Sequence, residues 1–251
     1  MNFALLLVVL SLISGGIYLL DIIFWAKKRK PDQKPGRIIE YSRSFFPVFF
    51  IVLLLRSFLV EPFRIPSGSL EPTLLVGDFL AVNKFAYGFR LPVWEKKMIS
   101  VADPKTGEIA VFRWPPDPSY DYIKRVIGVP GDKVSYHNKV LAINGQEMKQ
   151  TFVEYTTDES SGKAVAKYRE NLKGVEHDIY IRPDAPAEDF EVTVPEGQYF
   201  MMGDNRDDSA DSRFWGFTED KYLRGKAFLV WMSWNSKTDS VRWSKIGRLI
   251  H

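Results

Sequence analysis

The sequence predicts a mainly β protein that two N-terminal transmembrane helices anchor to a membrane. Two observations support this fold class. The first sixty residues contain two long apolar runs separated by a cationic loop. From Gly77 onward, short β-type runs alternate with Gly, Pro, Asn and Asp, and no long amphipathic helix competes with them. We therefore expect an antiparallel β core that follows the two membrane helices.

The composition narrows the possible functions. The chain of 251 residues carries a formal net charge of +3, which is too small to indicate a nucleic-acid partner. It has no cysteine, so structural disulfides, cysteine nucleophiles and thiolate metal sites are excluded. Its three histidines lack the spacing of an imidazole metal centre. We expect no metal and no cofactor.

The first apolar run, residues 3–26, has the length of roughly 20 residues that a helix needs to cross a bilayer. Only Met1 and Asn2 precede it, and four cations follow it at 27–30. A cleavable signal sequence has the opposite order, with its positive charge before the apolar core. The run therefore predicts an anchor whose N-terminus lies outside the cell membrane.

The second apolar run, residues 44–60, completes a predicted membrane anchor over 1–60. It is short and contains Pro47 and Arg56, so a buried helix of a soluble protein is the alternative interpretation. Loop 27–43 holds seven lysines and arginines against two acidic residues, which places it in the cytoplasm by the positive-inside rule. Everything after the second run then faces the periplasm or the cell exterior.

The exported part reads as a series of short strands. Asn144-Gly145 predicts a hairpin turn between two of them. Residues from about 146 to 190 are more polar, and 158–163 is expected to be an exposed loop in a surface subdomain without chemistry. The candidate strands are 79–82, 109–112, 124–129, 139–143, 190–194, 199–202 and 227–232.

The most informative stretch is Ile65-Pro66-Ser67-Gly68-Ser69, which begins soon after the second apolar run. Prolines on both sides restrict φ, and Gly68 adopts conformations that other residues avoid. Such a rigid turn suits the presentation of a hydroxyl beside a free N–H, although an ordinary loop is the simpler interpretation. Ser69 follows the run by nine residues, at most about 30 Å of chain, so its chemistry would take place near the membrane surface.

A serine nucleophile needs a base, and the sequence offers two kinds. His137, His177 and His251 lie in a polar turn, a polar insert and at the C-terminus, which makes a Ser–His–Asp triad the weaker alternative. Lys124 lies in an apolar strand, where burial would lower its pKa enough to supply a neutral amine. Its spacing alone favours the other interpretation, an edge-strand lysine that reaches solvent.

A third constellation covers residues 203–216, where carboxylates alternate with arginines. A calcium loop starting at Asp207 would lack its required glycine and its final glutamate. Internal ion pairs, such as Asp211 with Arg213 or Arg206, would instead brace a tight loop. A salt-bridged surface turn without function explains the pattern equally well.

Taken together and in this order, these stretches resemble the bacterial type I signal peptidases, membrane-bound serine proteases with a Ser/Lys dyad. The resemblance covers nearly the whole chain, and its last block is highly specific to that family. After the two spans it rests on Pro66-Ser67-Gly68-Ser69-Leu70-Glu71-Pro72-Thr73-Leu74, Gly77-Asp78-Phe79, the block from Tyr122-Ile123-Lys124-Arg125 to Pro130-Gly131-Asp132, and Gly203-Asp204-Asn205-Arg206 through Gly216.

The resemblance implies roles for individual residues. Ser69 would attack the scissile carbonyl, and Lys124 would be the general base. Ser209 would hydrogen-bond the Lys124 ammonium and orient it. The Ser69 N–H and the Ser67 hydroxyl would form the oxyanion hole, a preorganised set of donors for the charge that develops on the carbonyl oxygen.

The resemblance also implies the surroundings of these groups. Asp211 and Arg213 would pair to hold the last loop, and a catalytic β core of 61–133 and 197–251 would carry an inserted β subdomain, 134–196. A shallow apolar cleft would accept small side chains. We expect Phe63, Ile65, Pro66, Leu70, Leu74, Tyr122 and Ile123 to line it.

The implied substrates are signal peptides of exported preproteins, cleaved after Ala-x-Ala. The expected location is the bacterial inner membrane, with the protein multi-pass, monomeric and near the export machinery. Leu70 stands where the family usually has methionine, a change of similar volume, and Glu71 has no assigned role. A membrane-tethered β module that binds exported peptides without cutting them is the alternative, and a self-cleaving Ser/Lys regulator is a third.

Overall fold

The computed structural model describes residues 3–29, 34–54, 60–90 and 97–250. The chain divides into two compact units. The first comprises Met1–Val60 with Phe89–Ile99, and the second comprises Glu61–Gly88 with Ser100–His251.

The first unit is a pair of helices with a short hairpin. Helix α1 covers Phe3–Leu20 and continues as π-helical and 3₁₀ turns to Lys28, and helix α2 covers Arg37–Leu54. The Tyr18 and Phe46 rings lie 6.3 Å apart, centroid to centroid, where the two helices pack. Apolar side chains of both helices remain exposed in this structure.

One helix in the described ranges, Leu5–Lys28, is long and apolar enough to cross a membrane. Helix α2 carries Arg37, Glu40 and Arg43 in its first half. The predicted second span, 44–60, is helical to Leu54, and residues 55–59 lie outside the described residues.

The described strands pair antiparallel in the named ladders, as the sequence predicts, and most belong to the second unit. Strands β3 and β4 form the hairpin of the first unit. The strands are β1 (Val60–Arg64), β2 (Asp78–Asn83), β3 (Phe89–Arg90), β4 (Lys97–Ile99), β5 (Ile109–Arg113), β6 (Asp121–Gly128), β7 (Lys133–His137), β8 (Val140–Ile143), β9 (Gln146–Glu147), β10 (Lys149–Thr157), β11 (Ala164–Leu172), β12 (Val175–Ile181), β13 (Phe190–Thr193), β14 (Gln198–Met202), β15 (Thr218–Glu219), β16 (Leu223–Asn235), β17 (Ser240–Val241) and β18 (Arg248–Leu249).

The main sheet has the order β1-β2-β16-β5-β6-β14-β15, with β17 and β18 also paired to β16. Strand β6 lies between β5 and β14, so it is an interior strand. Apolar side chains cover both of its faces: Ile123 packs in a core cluster with Leu70, and Val126 packs in another with Phe112. The interpretation of Lys124 as an edge-strand residue is therefore wrong.

Residues 133–193, which include the polar stretch, form two sheets separate from the main one. Strands β13-β7-β8-β9 make one sheet and β10-β11-β12 another. The predicted turn at Asn144-Gly145 joins β8 to β9, and both residues adopt positive φ, as such a hairpin turn requires. These sheets belong to the same compact unit as the main sheet, so the inserted subdomain at 134–196 stays a prediction.

Candidate active site

The serine-bearing turn lies between β1 and β2. Gly68–Leu70 form a single 3₁₀ turn, and the backbone N–H of Glu71 donates to the carbonyl of Gly68 at 3.0 Å. Leu70 and Leu74 are buried in the same cluster as Ile123 of β6. This apolar contact holds the turn against the strand that carries Lys124.

Ser69 and Lys124 meet within the protein. Their side chains come from the 3₁₀ turn and from β6, 55 residues apart in the chain, and Nζ of Lys124 donates a hydrogen bond to Oγ of Ser69. Ser69 is 8% exposed and Lys124 is 3% exposed. The hydroxyl of Ser67, the residue before the turn, lies 3.4 Å from the Ser69 hydroxyl.

The environment of Lys124 shifts its protonation equilibrium toward the neutral amine. Burial lowers its pKa from 10.5 to about 8, because removal from water disfavours the ammonium. The carboxylates of Asp211 and Asp204 partly oppose this shift, and Arg213 adds to it. At pH 7 about one lysine in ten would then be a neutral amine hydrogen-bonded to a serine hydroxyl.

Residues 203–205 support the serine turn from behind. The backbone N–H of Asn205 donates to the Ser69 carbonyl at 3.1 Å, and its side-chain amide donates to the Gly68 carbonyl at 3.2 Å. Thr73, after the turn, donates to Asp204 at 2.5 Å. A side chain at Gly203 would not fit, since its Cβ would lie 2.3 Å from the Ser69 carbonyl oxygen.

The arginines of this region pair specifically with carboxylates. Arg213 makes a two-pronged contact with Asp211, with Nε and Nη2 each 2.8 Å from a carboxylate oxygen. Nη2 of Arg213 also donates to the Arg206 carbonyl at 2.5 Å. The Arg206 side chain pairs with Glu170 of β11, so of the two partners considered for Asp211 the structure contains Arg213.

A further buried ion pair was not predicted. Arg125 donates two hydrogen bonds of 2.8 Å to Asp204, and both side chains are at most 1% exposed. The pair ties the lysine strand to the 203–216 segment. Its two residues are 79 apart in the chain, and no local pattern indicates which of the neighbouring carboxylates Arg125 would meet.

Ser209 lies beside Gly203 and is buried, with 7% of its surface exposed. Its hydroxyl has no hydrogen-bond partner among the described residues. The predicted hydrogen bond to Lys124 is therefore not formed in this structure. Its role as an orienting group stays a prediction.

An open cleft of about 450 Å³ adjoins the Ser69–Lys124 pair. Of the predicted pocket residues, Phe63, Pro66, Tyr122 and Ile123 line it. The complete lining is Phe63, Pro66, Ser67, Gly68, Ser69, Asp121, Tyr122, Ile123, Lys124, Ser160, Asp208 and Ala210.

The assignment of Ile65, Leu70 and Leu74 to the cleft is wrong. They are at most 1% exposed and pack in the core beneath the turn. Asp208 and Ala210, which were not predicted, flank Ser209 in sequence, and this position could have indicated them. Ser160 comes from the loop 158–163, for which the sequence predicts no chemistry.

In that loop residues 160–163 are exposed, as predicted for 158–163, but Asp158 is buried. Asp158 is 1% exposed and accepts hydrogen bonds from the backbone N–H groups of Ser160 at 2.8 Å and Ser161 at 3.0 Å. Its other oxygen accepts from the Asn205 amide at 2.6 Å. The loop between β10 and β11 therefore reaches the serine turn.

No group of three or more His, Cys, Asp and Glu side chains suited to a metal ion occurs in the described ranges. The cleft instead presents a serine hydroxyl bonded to a buried lysine. A nucleophile within hydrogen-bond reach of its base is the arrangement of an enzyme that hydrolyses through a covalent acyl intermediate. The class of protein is therefore a serine hydrolase built on an antiparallel β fold.

Comparisons with known proteins define the class further. A family model described as signal peptidase, peptidase S26, matches residues 38–234. Signal peptidase I of Pseudomonas fluorescens is 46% identical, with 93% of each chain covered, and that of Pseudomonas aeruginosa is 45% identical with the same coverage. Signal peptidase I of Haemophilus influenzae is 34% identical over 92% of this chain and 86% of that protein. The chain belongs to the S26 signal peptidase family and is a serine endopeptidase.

Proposed function

We propose that this protein removes signal peptides from exported preproteins, with Ser69 as the nucleophile and Lys124 as the general base. The observation that carries the assignment is the hydrogen bond between Nζ of Lys124 and Oγ of Ser69. The membership in the signal peptidase family supports the substrate class.

In the first step Oγ of Ser69 bonds to the scissile carbonyl carbon while its proton passes to neutral Nζ of Lys124. The ammonium then gives this proton to the leaving amine as the peptide bond breaks. A water molecule attacks the acyl-enzyme, losing a proton to Lys124, and Ser69 regains its proton as the signal peptide leaves. The lowered pKa of Lys124 suits this cycle, since a base near neutrality both accepts and returns a proton.

The oxyanion would be bound by the Ser69 N–H and the Ser67 hydroxyl. The 3.4 Å between the Ser67 and Ser69 hydroxyls supports this role, because both groups then adjoin the same carbonyl. Ser209 would stabilise the Lys124 ammonium once it forms, by accepting a hydrogen bond from it. Its buried hydroxyl has no partner among the described residues, which supports this role.

We further propose a multi-pass protein of the inner membrane, acting as a monomer near the export machinery, with the second unit on the periplasmic side. The apolar helix Leu5–Lys28 and the basic segment 27–43 support this topology. The second span would be residues 44–60, of which 44–54 belong to helix α2. A subdomain of 134–196 would then be an insertion in a catalytic core of 61–133 and 197–251.

The test is incubation of the detergent-solubilised protein with a preprotein that has an Ala-x-Ala cleavage site, with and without EDTA. Ser69→Ala is the matched variant. We expect cleavage after the second Ala, unchanged by EDTA and absent from the variant. Peptide binding without turnover by the folded wild-type protein would identify a binding module instead.

A further inference from the structure

Glu71 occupies an unusual position for an acidic side chain. It directly follows the serine turn and is 1% exposed, so it does not face the cleft. One of its oxygens accepts a hydrogen bond from the Ser160 backbone N–H at 3.3 Å, and the other has no donor among the described residues. The Asp158 carboxyl, also 1% exposed, lies beside it.

Two other titratable groups, Glu159 and Tyr180, face this pair of carboxyls. Glu159 is committed to an ion pair with Arg242. In the part of the chain that the structure describes, neither Glu71 nor Asp158 forms a salt bridge. Two buried neighbouring carboxyls without a cation cannot both ionise at low cost, so one of them retains a proton.

The hydrogen bonds indicate which one. Burial, together with the neighbouring Asp158, raises the pKa of Glu71 from 4.5 to about 8. Burial opposes ionisation of Asp158 as well, but donors from Ser161, Ser160 and Asn205 outweigh it and lower its pKa. The proton therefore resides on Glu71.

The pair holds Ser160 at the cleft. The Ser160 hydroxyl donates to Asp158 at 2.7 Å, and its backbone N–H lies between the two carboxyls. Ser160 packs closely on Gly68: a Cβ added to Gly68 would lie 2.0 Å from the Ser160 hydroxyl oxygen. Because that hydroxyl donates its proton to Asp158, its lone pairs remain available to accept a hydrogen bond in the cleft.

We propose that Glu71 and Asp158 are positioning residues that share one proton and hold Ser160 in the wall of the cleft, where its hydroxyl accepts a hydrogen bond from a backbone N–H of the bound signal peptide. This inference rests on the proposed Ser69–Lys124 chemistry. Loss of the shared proton places two like charges side by side, which drives the Ser160 loop away from Gly68 and weakens substrate binding.

The first test compares pH profiles of kcat/KM for the wild-type protein and Glu71→Gln, with exposed Glu147→Gln as the control. In the wild type the rate rises as Lys124 loses its proton and falls as Glu71 loses its own. One pH unit above the pKa of Glu71, about a tenth of the molecules still carry its proton. The ratio of kcat/KM of Glu71→Gln to that of the wild type should therefore rise by up to about tenfold between pH 7 and 9. A constant ratio across this range overturns the proposal.

The two hypotheses fail in different ways in this experiment. If the acidic limb is missing from both proteins, Lys124 is not the base and the proposed chemistry fails. If the acidic limb is present and the alkaline limb is the same in both, the chemistry stands and the shared proton is refuted. Thermal unfolding of each variant at each pH confirms that folded protein is compared.

The second test addresses Ser160 directly. Loss of one hydrogen bond to bound peptide should raise KM about fivefold in Ser160→Ala with little change in kcat, and Ser160→Thr should recover most of the loss. Ser161→Ala is the matched control, because Asp158 binds only its backbone N–H. A wild-type KM in Ser160→Ala, or no recovery in Ser160→Thr, refutes the role of the hydroxyl.

Discussion

Strand β6 carries two neighbouring buried cations, Lys124 and Arg125, whose surroundings differ. Arg125 is 0% exposed and makes paired hydrogen bonds to Asp204, with a third at 2.6 Å to the Gly107 carbonyl. Lys124 is 3% exposed and forms no salt bridge with any of the described residues. Its side chain donates a hydrogen bond to Ser69.

This difference in surroundings indicates a structural role for Arg125 and a chemical role for Lys124. A buried charge with a full set of partners is stable as an ion and has no reason to release its proton. A buried lysine without a carboxylate at contact distance is closer to neutral, because desolvation is not repaid. Successive side chains of a strand point to opposite faces. Strand β6 therefore places Arg125, paired with Asp204, behind the site and Lys124, which has no carboxylate partner, in the site.

The sharpest way to break this comparison is Lys124→Met, which keeps the volume and removes the amine. We expect cleavage to fall by at least about 10⁴-fold, the size of effect seen when a single member of a nucleophile–base pair is removed. Unfolding by urea should show stability equal to or above that of the wild type, since a poorly solvated amine is lost. Measurable turnover by folded Lys124→Met would show that another group accepts the Ser69 proton.

The matching change at the neighbouring position, Arg125→Met, should act on stability. It leaves the buried Asp204 carboxylate uncompensated, and breaking such a pair costs about 3–5 kcal/mol in the free energy of unfolding. Lys133→Met is the control, because Lys133 pairs with Glu191 where both side chains are more than half exposed. That change should cost less than about 1 kcal/mol. Equal losses in the two variants would contradict a structural role for the Arg125–Asp204 pair.

The same comparison shows how far sequence reasoning reaches. The β-rich core and the turn at Asn144-Gly145 follow from local chemistry, because propensity and turn residues act over a few positions. The residues around Ser69 fit an ordinary loop equally well, and the role predicted for Ser69 comes from the resemblance to a known family. The interior position of β6 does not, since alternation around Lys124 fits an edge strand as well. It is decided by which strands pair on either side, a property of the whole sheet.

Long-range contacts explain the remaining errors. Ile65, Leu70 and Leu74 read equally well as cleft or core, and only the packing of β6 against the turn assigns them to the core. Ser160 is 89 residues from Glu71, and the hydrogen bond that brings its loop to the cleft joins two segments without a shared pattern. A polar loop in a polar stretch carries no sign of such a partner.

The smallest effect that we predict concerns stability and pH. The pKa of Lys124 is about 8 in the folded protein and 10.5 without the surrounding structure, so between these values the unfolded chain binds more protons. Stability linked to Lys124 therefore rises with pH across this window, and the penalty for burying the lysine is greatest below pH 8. The stability advantage of Lys124→Met over wild type should be largest at pH 7 and shrink toward pH 10. Titration of Glu71 occurs in both proteins and cancels in this difference, provided that the two sites do not interact. An advantage that is independent of pH would mean that Lys124 stays charged in the folded protein, and the contrast with Arg125 would then lie in the partner alone.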